Sequence, residues 1–275
     1  MELHRPDRIY AGYVLDLDGT VYLDDHPIPG VPEAIAALRD AGSRVVFLTN
    51  KPLERPATYA LNLSRMGIPA GPADVVSSID ALGTYLAAHP PGGPILPVTE
   101  PLLWEVLTEA GHAITHEPGE AAMVVVSWDR TFDYDKLERA FHAVRGGARL
   151  VATNPDPFCP GPGGGQPDCA AMLAAIEACT GAKAEAVVGK PSPSMAVAVL
   201  ERLGLEASDV ALVGDRLATD VRMAREAGMV AVLVLSGATQ LSDLEDIDGG
   251  PDHAPDFVLE DLVQLIPPVP VEGAR

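Results

Sequence analysis

Short apolar runs alternate with amphipathic segments along most of this chain. The runs at 14–17, 44–48 and 210–213 are mostly aliphatic and short, as buried strands are. The segment at 32–39 instead has apolar residues at helical spacing, with Pro32 at its first turn and glycine just past its end. Because strands and helices alternate in this way, we predict an α/β fold with a doubly wound parallel sheet.

This alternation is interrupted by a stretch rich in proline and glycine at 89–94. Beyond it a second series of strands and helices begins. We therefore predict a core formed by residues 1–91 and 185–275, with a second α/β domain inserted at 92–184. The core sheet is expected to resume with the strand at 186–188.

Composition and charge narrow the class of protein. The 275 residues are 47% hydrophobic and 21% charged, as in globular proteins, and a formal net charge of −20 opposes binding to nucleic acid. No apolar run approaches the roughly 20 residues of a membrane helix, and the N-terminus lacks a signal core. We therefore expect a soluble cytoplasmic protein that does not bind a membrane. Three cysteines without C-x-x-C spacing argue against a disulfide framework and a zinc site.

Polar side chains follow four predicted strands at the point where each strand ends. They are Asp16, Asp18, Thr49, Asn50, Lys190, Asp215 and, five residues further on, Asp220. Taken singly, each of these motifs is as typical of an ordinary turn or a solvated lysine as of a functional site. In one parallel sheet, however, the carboxyl ends of the strands line a single ligand-binding crevice. Asp16 and Asp18 would share a face of a regular strand, and converging carboxylates need a cation or a shared proton.

The residue types at this crevice indicate phosphoryl transfer. Clustered carboxylates favour Mg²⁺, and no cysteine or histidine in these turns favours a softer metal. Beside such a cation Asp16 is ionised and can form an aspartyl phosphate. The Thr49 hydroxyl and backbone N–H groups can hold phosphate oxygens, and Lys190 supplies a positive charge. Asp18 is placed to protonate the leaving oxygen and later to deprotonate water.

Four motifs also resemble those of a known family. They are Asp16-Leu17-Asp18-Gly19-Thr20, Thr49-Asn50, Gly189-Lys190-Pro191 and Gly214-Asp215-Arg216 through Thr219-Asp220. In this order they resemble the motifs of the haloacid dehalogenase-like (HAD) phosphatases, which have a Rossmann-like core. The branch that the chain resembles is the NagD-like or nitrophenylphosphatase branch, HAD subfamily IIA, whose α/β cap domain lies between the second and third motifs. Residues 152–156 are similar to the cap signature of that branch.

The resemblance implies a role for each matched residue. The implied nucleophile is Asp16, the implied acid and base is Asp18, and the implied phosphate-binding residues are Thr49, Asn50 and Lys190. The implied magnesium ligands are Asp16, the Asp18 carbonyl and Asp215, with Asp220 behind them and Thr20 in the turn that orients Asp18. In the cap, the candidates are Asn154 and Asp156. The branch also suggests a homodimer.

Substrate choice is left open by two features. Lys51 follows Thr49-Asn50 where many relatives have a second small polar residue. The glycine-rich loop at 161–165, followed by residues 166–168, is similar to sugar-phosphatase members of the branch. Both features concern the substrate and leave the expected reaction unchanged.

The leading hypothesis is a Mg²⁺-dependent phosphomonoesterase acting on a small phosphorylated metabolite such as a sugar phosphate. The inserted domain would be a lid that excludes water, with the glycines at 161 and 163–165 in a flexible loop. Two alternatives remain: a phospho-aspartate signalling or binding module without turnover, and a halide-releasing hydrolase of the same superfamily. Asp18 and the insertion disfavour the first, and Asp215 with its metal disfavours the second.

Overall fold

The chain divides into two compact units in the computed structural model, which describes residues 3–24, 26–159, 162–245 and 250–266. Unit 1 comprises Met1–Leu48, Ala60–Val75 and Val199–Arg275, and unit 2 comprises Thr49–Tyr59 and Val76–Ala198. The domain boundaries predicted from the sequence, with an insertion at 92–184, differ from the boundaries of these two units and stay a prediction. Gly161 of the predicted lid loop lies outside the described residues.

The strands and helices alternate along the chain. The strands are β1 Gly12–Asp16, β2 Tyr22–Leu23, β3 His26–Pro27, β4 Arg44–Thr49, β5 Val75–Ser77, β6 Ile95–Val98, β7 Met123–Val126, β8 Arg149–Ala152, β9 Phe158–Cys159, β10 Gln166–Pro167, β11 Ala186–Val187, β12 Val210–Gly214, β13 Val230–Val234 and β14 Phe257–Leu259. The α-helices are α1 Val31–Asp40, α2 Pro56–Arg65, α3 Ser78–Ala88, α4 Pro101–Glu109, α5 Tyr134–Arg145, α6 Cys169–Thr180, α7 Pro193–Leu203 and α8 Arg222–Ala227. Within the described ranges, none of the helices has the length and apolar character needed to cross a bilayer.

A six-stranded sheet has β1 near its centre, in the order β14-β13-β12-β1-β4-β5. β1 pairs in parallel with both β12 and β4, and β13 pairs in parallel with β12 and β14. Every residue of β1 and of β12 is buried, which explains their nearly continuous apolar sequences. The predicted doubly wound parallel sheet is confirmed.

Helix α1 shows how the sequence pattern becomes packing. Proline lies in its first turn, where the missing N–H costs no helical hydrogen bond. Its buried side chains form one stripe at helical spacing, consisting of Val31, Ala34, Ile35 and Leu38. Burying a leucine or isoleucine in such a stripe stabilises the fold by about 1.5–3 kcal/mol.

A four-stranded parallel sheet in the order β11-β8-β7-β6 lies within unit 2. Helices α5 and α6 contribute side chains to its core, among them Ala140 and Ile176, which are fully buried together with Val124 and Val126. This sheet confirms the predicted second α/β domain, although the bounds predicted for that domain stay untested.

Strand β11 was expected to resume the core sheet, and this expectation is wrong. β11 pairs in parallel with β8 of the four-stranded sheet, with Ala186 opposite Val151 and Val187 opposite Ala152. A strand of two residues cannot specify its partner strand. Local sequence favours an extended conformation, but tertiary packing selects the neighbouring strand.

Candidate active site

Three buried carboxylates lie together at the carboxyl ends of β1 and β12. Asp16 is the last residue of β1, Asp215 directly follows β12, and Asp220 lies one turn further on. One carboxylate oxygen from each lies within 4.8 Å of the others. Since β1 and β12 are parallel neighbours, with Leu15 opposite Val213, their carboxyl ends meet at one edge of the sheet. Sequence-distant acids are thereby brought into one cluster.

The Asp215 carboxylate is held by the loop after β13. Its Oδ2 accepts a hydrogen bond of 2.6 Å from the backbone N–H of Ala238. The loop can approach this closely because residue 237 is glycine, and a Cβ there would lie 2.1 Å from Asp215 Oδ2. The close backbone approach orients the carboxylate and restricts its rotation.

Asp220 is held by its own turn. It lies in a single turn of π-helix, Leu217–Val221, that precedes α8, and such turns are frequent at functional sites. Its Oδ2 accepts hydrogen bonds from the Arg216 backbone N–H and from the Thr219 hydroxyl, both at 3.2 Å. This carboxylate is fully buried, and both of these hydrogen bonds come from its own turn.

The residues present fit a hard divalent cation. The cluster offers only carboxylate oxygens, which are the ligands that Mg²⁺ prefers. Asp16, Asp215 and Asp220 are each less than a tenth exposed. Packing three acids together away from water is costly unless a cation favours their ionised forms.

Asp18 lies outside this three-acid cluster. Strand β1 ends at Asp16, and a tight turn follows in which the Val21 N–H donates to the Leu17 carbonyl at 2.9 Å. Strand alternation therefore does not extend to Asp18, whose side chain is half-buried. Thr20 in the same turn is fully buried, and its hydroxyl has no hydrogen-bond partner among the described residues.

Thr49, Asn50 and Lys190 lie in unit 2. The Thr49 hydroxyl oxygen accepts a hydrogen bond from the Lys51 backbone N–H at 3.1 Å, which leaves the hydroxyl hydrogen available to a ligand. The Asn50 Oδ1 accepts from the Lys190 backbone N–H at 2.7 Å, and the Asn50 Nδ2 donates to Asp156 at 2.8 Å. The Asn50 side chain thus already has protein partners on both its oxygen and its nitrogen.

Asn154 and Asp156 lie in the same network as Asn50. The Asn154 Nδ2 donates to Asp156 Oδ2 at 3.0 Å and to Asp168 Oδ1 at 3.1 Å. Asp168, which sequence reasoning placed only in the stretch 166–168 after the glycine-rich loop, also belongs to this network. Its carboxylate caps helix α6 by accepting from the Cys169 N–H.

Burial raises the pKa of the Asp168 carboxyl to about 6, because the ionised form loses solvation. The Cys169 N–H and the Asn154 amide favour the ionised form, but their effect is smaller. Burial also raises the pKa of the Cys169 thiol, to about 11, so this cysteine is not a nucleophile at neutral pH.

The raised pKa of Asp168 predicts a specific pH dependence of stability. The native state binds the Asp168 proton more tightly than the unfolded chain, so the free energy of unfolding falls as pH rises between about 4 and 6. For a carboxyl whose pKa rises from 3.8 to about 6, the loss is roughly 3 kcal/mol. In Asp168→Asn, which cannot ionise, we expect this loss to be absent.

Urea unfolding at pH 4 and pH 7 measures this difference. Asp135→Asn is the matched control, because Asp135 is exposed and pairs only with Arg139 on its own helix among its described contacts. Equal pH dependence in the wild type and Asp168→Asn would contradict the assignment.

The comparisons with known proteins agree with this arrangement of residues. A family model described as haloacid dehalogenase-like hydrolase matches residues 13–113, and a second HAD-like hydrolase model matches residues 187–265. The sugar-phosphatase AraL of Bacillus subtilis is 36% identical over 252 residues, which cover 92% of this chain and 90% of that protein.

Solved structures extend the similarity to the fold. The 4-nitrophenylphosphatase of Thermotoga maritima has a TM-score of 0.86 at 35% identity, over 93% of this chain and 96% of that one. The glycerol phosphate phosphatase of Mycobacterium tuberculosis, solved in complex with magnesium, has a TM-score of 0.85 at 30% identity, over 94% of this chain and 76% of that one.

The similarity to these proteins extends over nine-tenths of the chain at 30% identity or more, and the folds match. It is therefore not limited to the four motifs. The two family models match residues 13–113 and 187–265, and these ranges include Asp16 and Asp215. The chain belongs to the haloacid dehalogenase-like hydrolases, within their NagD-like and 4-nitrophenylphosphatase branch of phosphatases.

Proposed function

We propose that this protein is a Mg²⁺-dependent phosphomonoesterase that hydrolyses a small sugar phosphate or a similar metabolite through an aspartyl phosphate. The observation that carries the proposal is the buried cluster of Asp16, Asp215 and Asp220, whose carboxylates lie within 4.8 Å of one another. The substrate class is supported by the name of AraL, a sugar phosphatase.

Asp16 is the proposed nucleophile. Its carboxylate oxygen attacks phosphorus, the bond from phosphorus to the ester oxygen breaks, and the Asp18 carboxyl gives its proton to that oxygen. In the second step Asp18 takes a proton from water, and the water oxygen attacks the phosphoryl group to release phosphate and regenerate Asp16. Asp18 is half-buried and lies two residues beyond the nucleophile, where it can exchange protons with a substrate or water.

The proposed magnesium ligands are Asp16, the Asp18 backbone carbonyl and Asp215, with Asp220 supporting them. When bound, the ion offsets the negative charge of the carboxylates and of the phosphoryl group. The support for this set is the oxygen-only chemistry of the cluster and the loop that orients Asp215.

Thr49, Asn50 and Lys190 are the proposed phosphate-binding residues. The Thr49 hydroxyl accepts from the Lys51 N–H and can therefore donate its own hydrogen to a phosphate oxygen. Lys190 brings an ammonium group, and its positive charge would stabilise the negative charge on the phosphoryl group during transfer. Asn50 would act through its backbone, because its carboxamide is engaged by Lys190 and Asp156.

Residues 92–184 are the proposed lid over the reaction, with Asn154 and Asp156 as its candidate functional residues. Closure of such a domain excludes water and contacts the organic part of the substrate. We therefore expect the inserted domain to determine which organic groups the enzyme accepts.

A substrate panel tests the proposal. Purified protein is assayed with phosphorylated sugars, polyol phosphates, nucleotides and pyridoxal phosphate, with Mg²⁺ and with EDTA. We expect turnover of at least one sugar or polyol phosphate with Mg²⁺, loss of that activity in EDTA, and recovery when Mg²⁺ is restored. Absence of turnover of every ester with Mg²⁺ would contradict the proposal and favour a phospho-aspartate binding module.

A further inference from the structure

A chain of buried amides and the half-buried carboxylate of Asp156 in unit 2 ends at the main chain of Lys190. Asn50 contacts both peptide groups of that residue, since its Oδ1 accepts from the Lys190 N–H at 2.7 Å and its Nδ2 donates to the Lys190 carbonyl at 3.3 Å. On its other side, the same Nδ2 donates to Asp156 Oδ2 at 2.8 Å. Asn50 and Lys190 are each less than a tenth exposed.

The loop that carries Lys190 is packed too tightly to adopt another path without cost. A Cβ at Gly189 would lie 2.6 Å from Asn50 Oδ1, 2.6 Å from the Thr153 carbonyl oxygen and 3.1 Å from Asn154 Cβ. Glycine at this position therefore allows Asn50 on one side and the strand end at 153–154 on the other to contact the loop.

Asp156 reinforces the orientation of the Asn50 carboxamide that the Lys190 main chain also requires. An amide has a donor end and an acceptor end, whereas an ionised carboxylate only accepts. Asp156 Oδ2 therefore favours the amide orientation in which Nδ2 points toward it and Oδ1 points toward the Lys190 N–H. Asn154 also donates to this oxygen and to Asp168, so Asp156 is restricted by a second amide donor.

We propose that Asp156 is a positioning residue for phosphate binding, because it orients the Asn50 carboxamide that holds the Lys190 main chain. Asp156 need not touch substrate for this role. The inference rests on the proposed function in one respect, the assignment of Lys190 as a phosphate-binding residue. Hydrogen bonds to charged groups contribute more than neutral ones, so loss of Asp156 leaves the Asn50 Nδ2 without its carboxylate acceptor.

Kinetics of four variants test the inference. In Asp156→Asn, Asp156→Ala and Asn50→Ala, we expect kcat/KM for the best substrate to fall about 10- to 100-fold, as when outer-shell partners of a site are removed. KM and the inhibition constant of inorganic phosphate are expected to rise together, since Lys190 binds phosphate. The Asn50→Ala/Asp156→Ala double variant is expected to lose no more than the worse single variant, because both remove one interaction.

Hydrogen exchange at the Lys190 backbone amide supplies a measurement that does not depend on turnover. We expect this amide to exchange at least about tenfold faster in Asp156→Asn, an isosteric change that keeps the side-chain volume. Asp135→Asn, on the exposed face of α5, is the control and is expected to change neither exchange nor kinetics.

The outcomes separate the two proposals. If the wild type turns over substrate but the Asp156 variants retain full kcat/KM, or if the losses are additive, the inference is overturned. If the wild type has no activity but Lys190 exchange accelerates in Asp156→Asn, the phosphatase proposal fails while the positioning of Lys190 stands. Unchanged exchange at Lys190 would overturn the positioning role in either case.

Discussion

The Asp16→Asn variant is expected to lose turnover by a factor on the order of 10⁴ or more, as when the nucleophile of a covalent mechanism is removed. An amide is a poor nucleophile toward phosphorus, and the substitution also removes one negative charge from the acidic cluster. Steady-state hydrolysis of 4-nitrophenyl phosphate with Mg²⁺ measures the loss. Acid quenching with a ³²P-labelled ester measures the phosphoenzyme, which we expect in the wild type and not in the variant.

The control for this experiment is again Asp135→Asn, an aspartate replaced on the exposed face of α5. It is expected to retain wild-type turnover and labelling. A labelled phosphoenzyme in Asp16→Asn, or a kcat within tenfold of the wild type, would show that another residue is the nucleophile.

The Asp18→Asn variant is expected to lose kcat by about 10²- to 10⁴-fold while its Mg²⁺ affinity stays close to that of the wild type. The variant keeps the backbone carbonyl assigned to the metal but loses the side chain that exchanges protons. Isothermal titration with Mg²⁺ measures the affinity, and stopped-flow kinetics measures the two chemical steps.

The leaving group separates the two roles of Asp18. 4-Nitrophenolate leaves without protonation, so the first step with 4-nitrophenyl phosphate is expected to stay fast in Asp18→Asn. Hydrolysis of the phosphoenzyme still needs a base, so a burst of about one nitrophenolate per active site should precede slow turnover. A sugar phosphate, whose leaving alkoxide needs a proton, should give no burst. Unchanged steady-state activity in this variant would contradict the acid and base assignment.

Both predictions depend on a cluster that forms because two strands are neighbours. Asp16 and Asp215 are far apart along the chain, yet β1 and β12 are paired neighbours, with Leu15 opposite Val213. Parallel pairing places both carboxyl ends at the same edge of the sheet. The reaction chemistry therefore depends on the topology of the sheet as well as on the identity of the acids.

Most of the core sheet could be predicted from local sequence. The apolar runs at 14–17 and 210–213 correspond to β1 Gly12–Asp16 and β12 Val210–Gly214, because a strand buried on both faces has to be apolar at nearly every position. The pattern failed for β11 Ala186–Val187, whose two half-buried residues pair with β8 in the other sheet. A strand this short contains too little periodicity to specify its neighbours.

By itself, the sequence determined the alternating α/β fold, the family motifs and the residue types for phosphoryl transfer, since these depend on local periodicity and side-chain chemistry. Only the tertiary structure decided which acids converge, placing Asp220 in the three-acid cluster and Asp18 in the turn beyond it. It also gave Asp168 its raised pKa and oriented the Asn50 carboxamide through Asp156. The physical reason is that burial and hydrogen-bond direction depend on neighbours far apart in the chain, which the packing of strands and loops brings together.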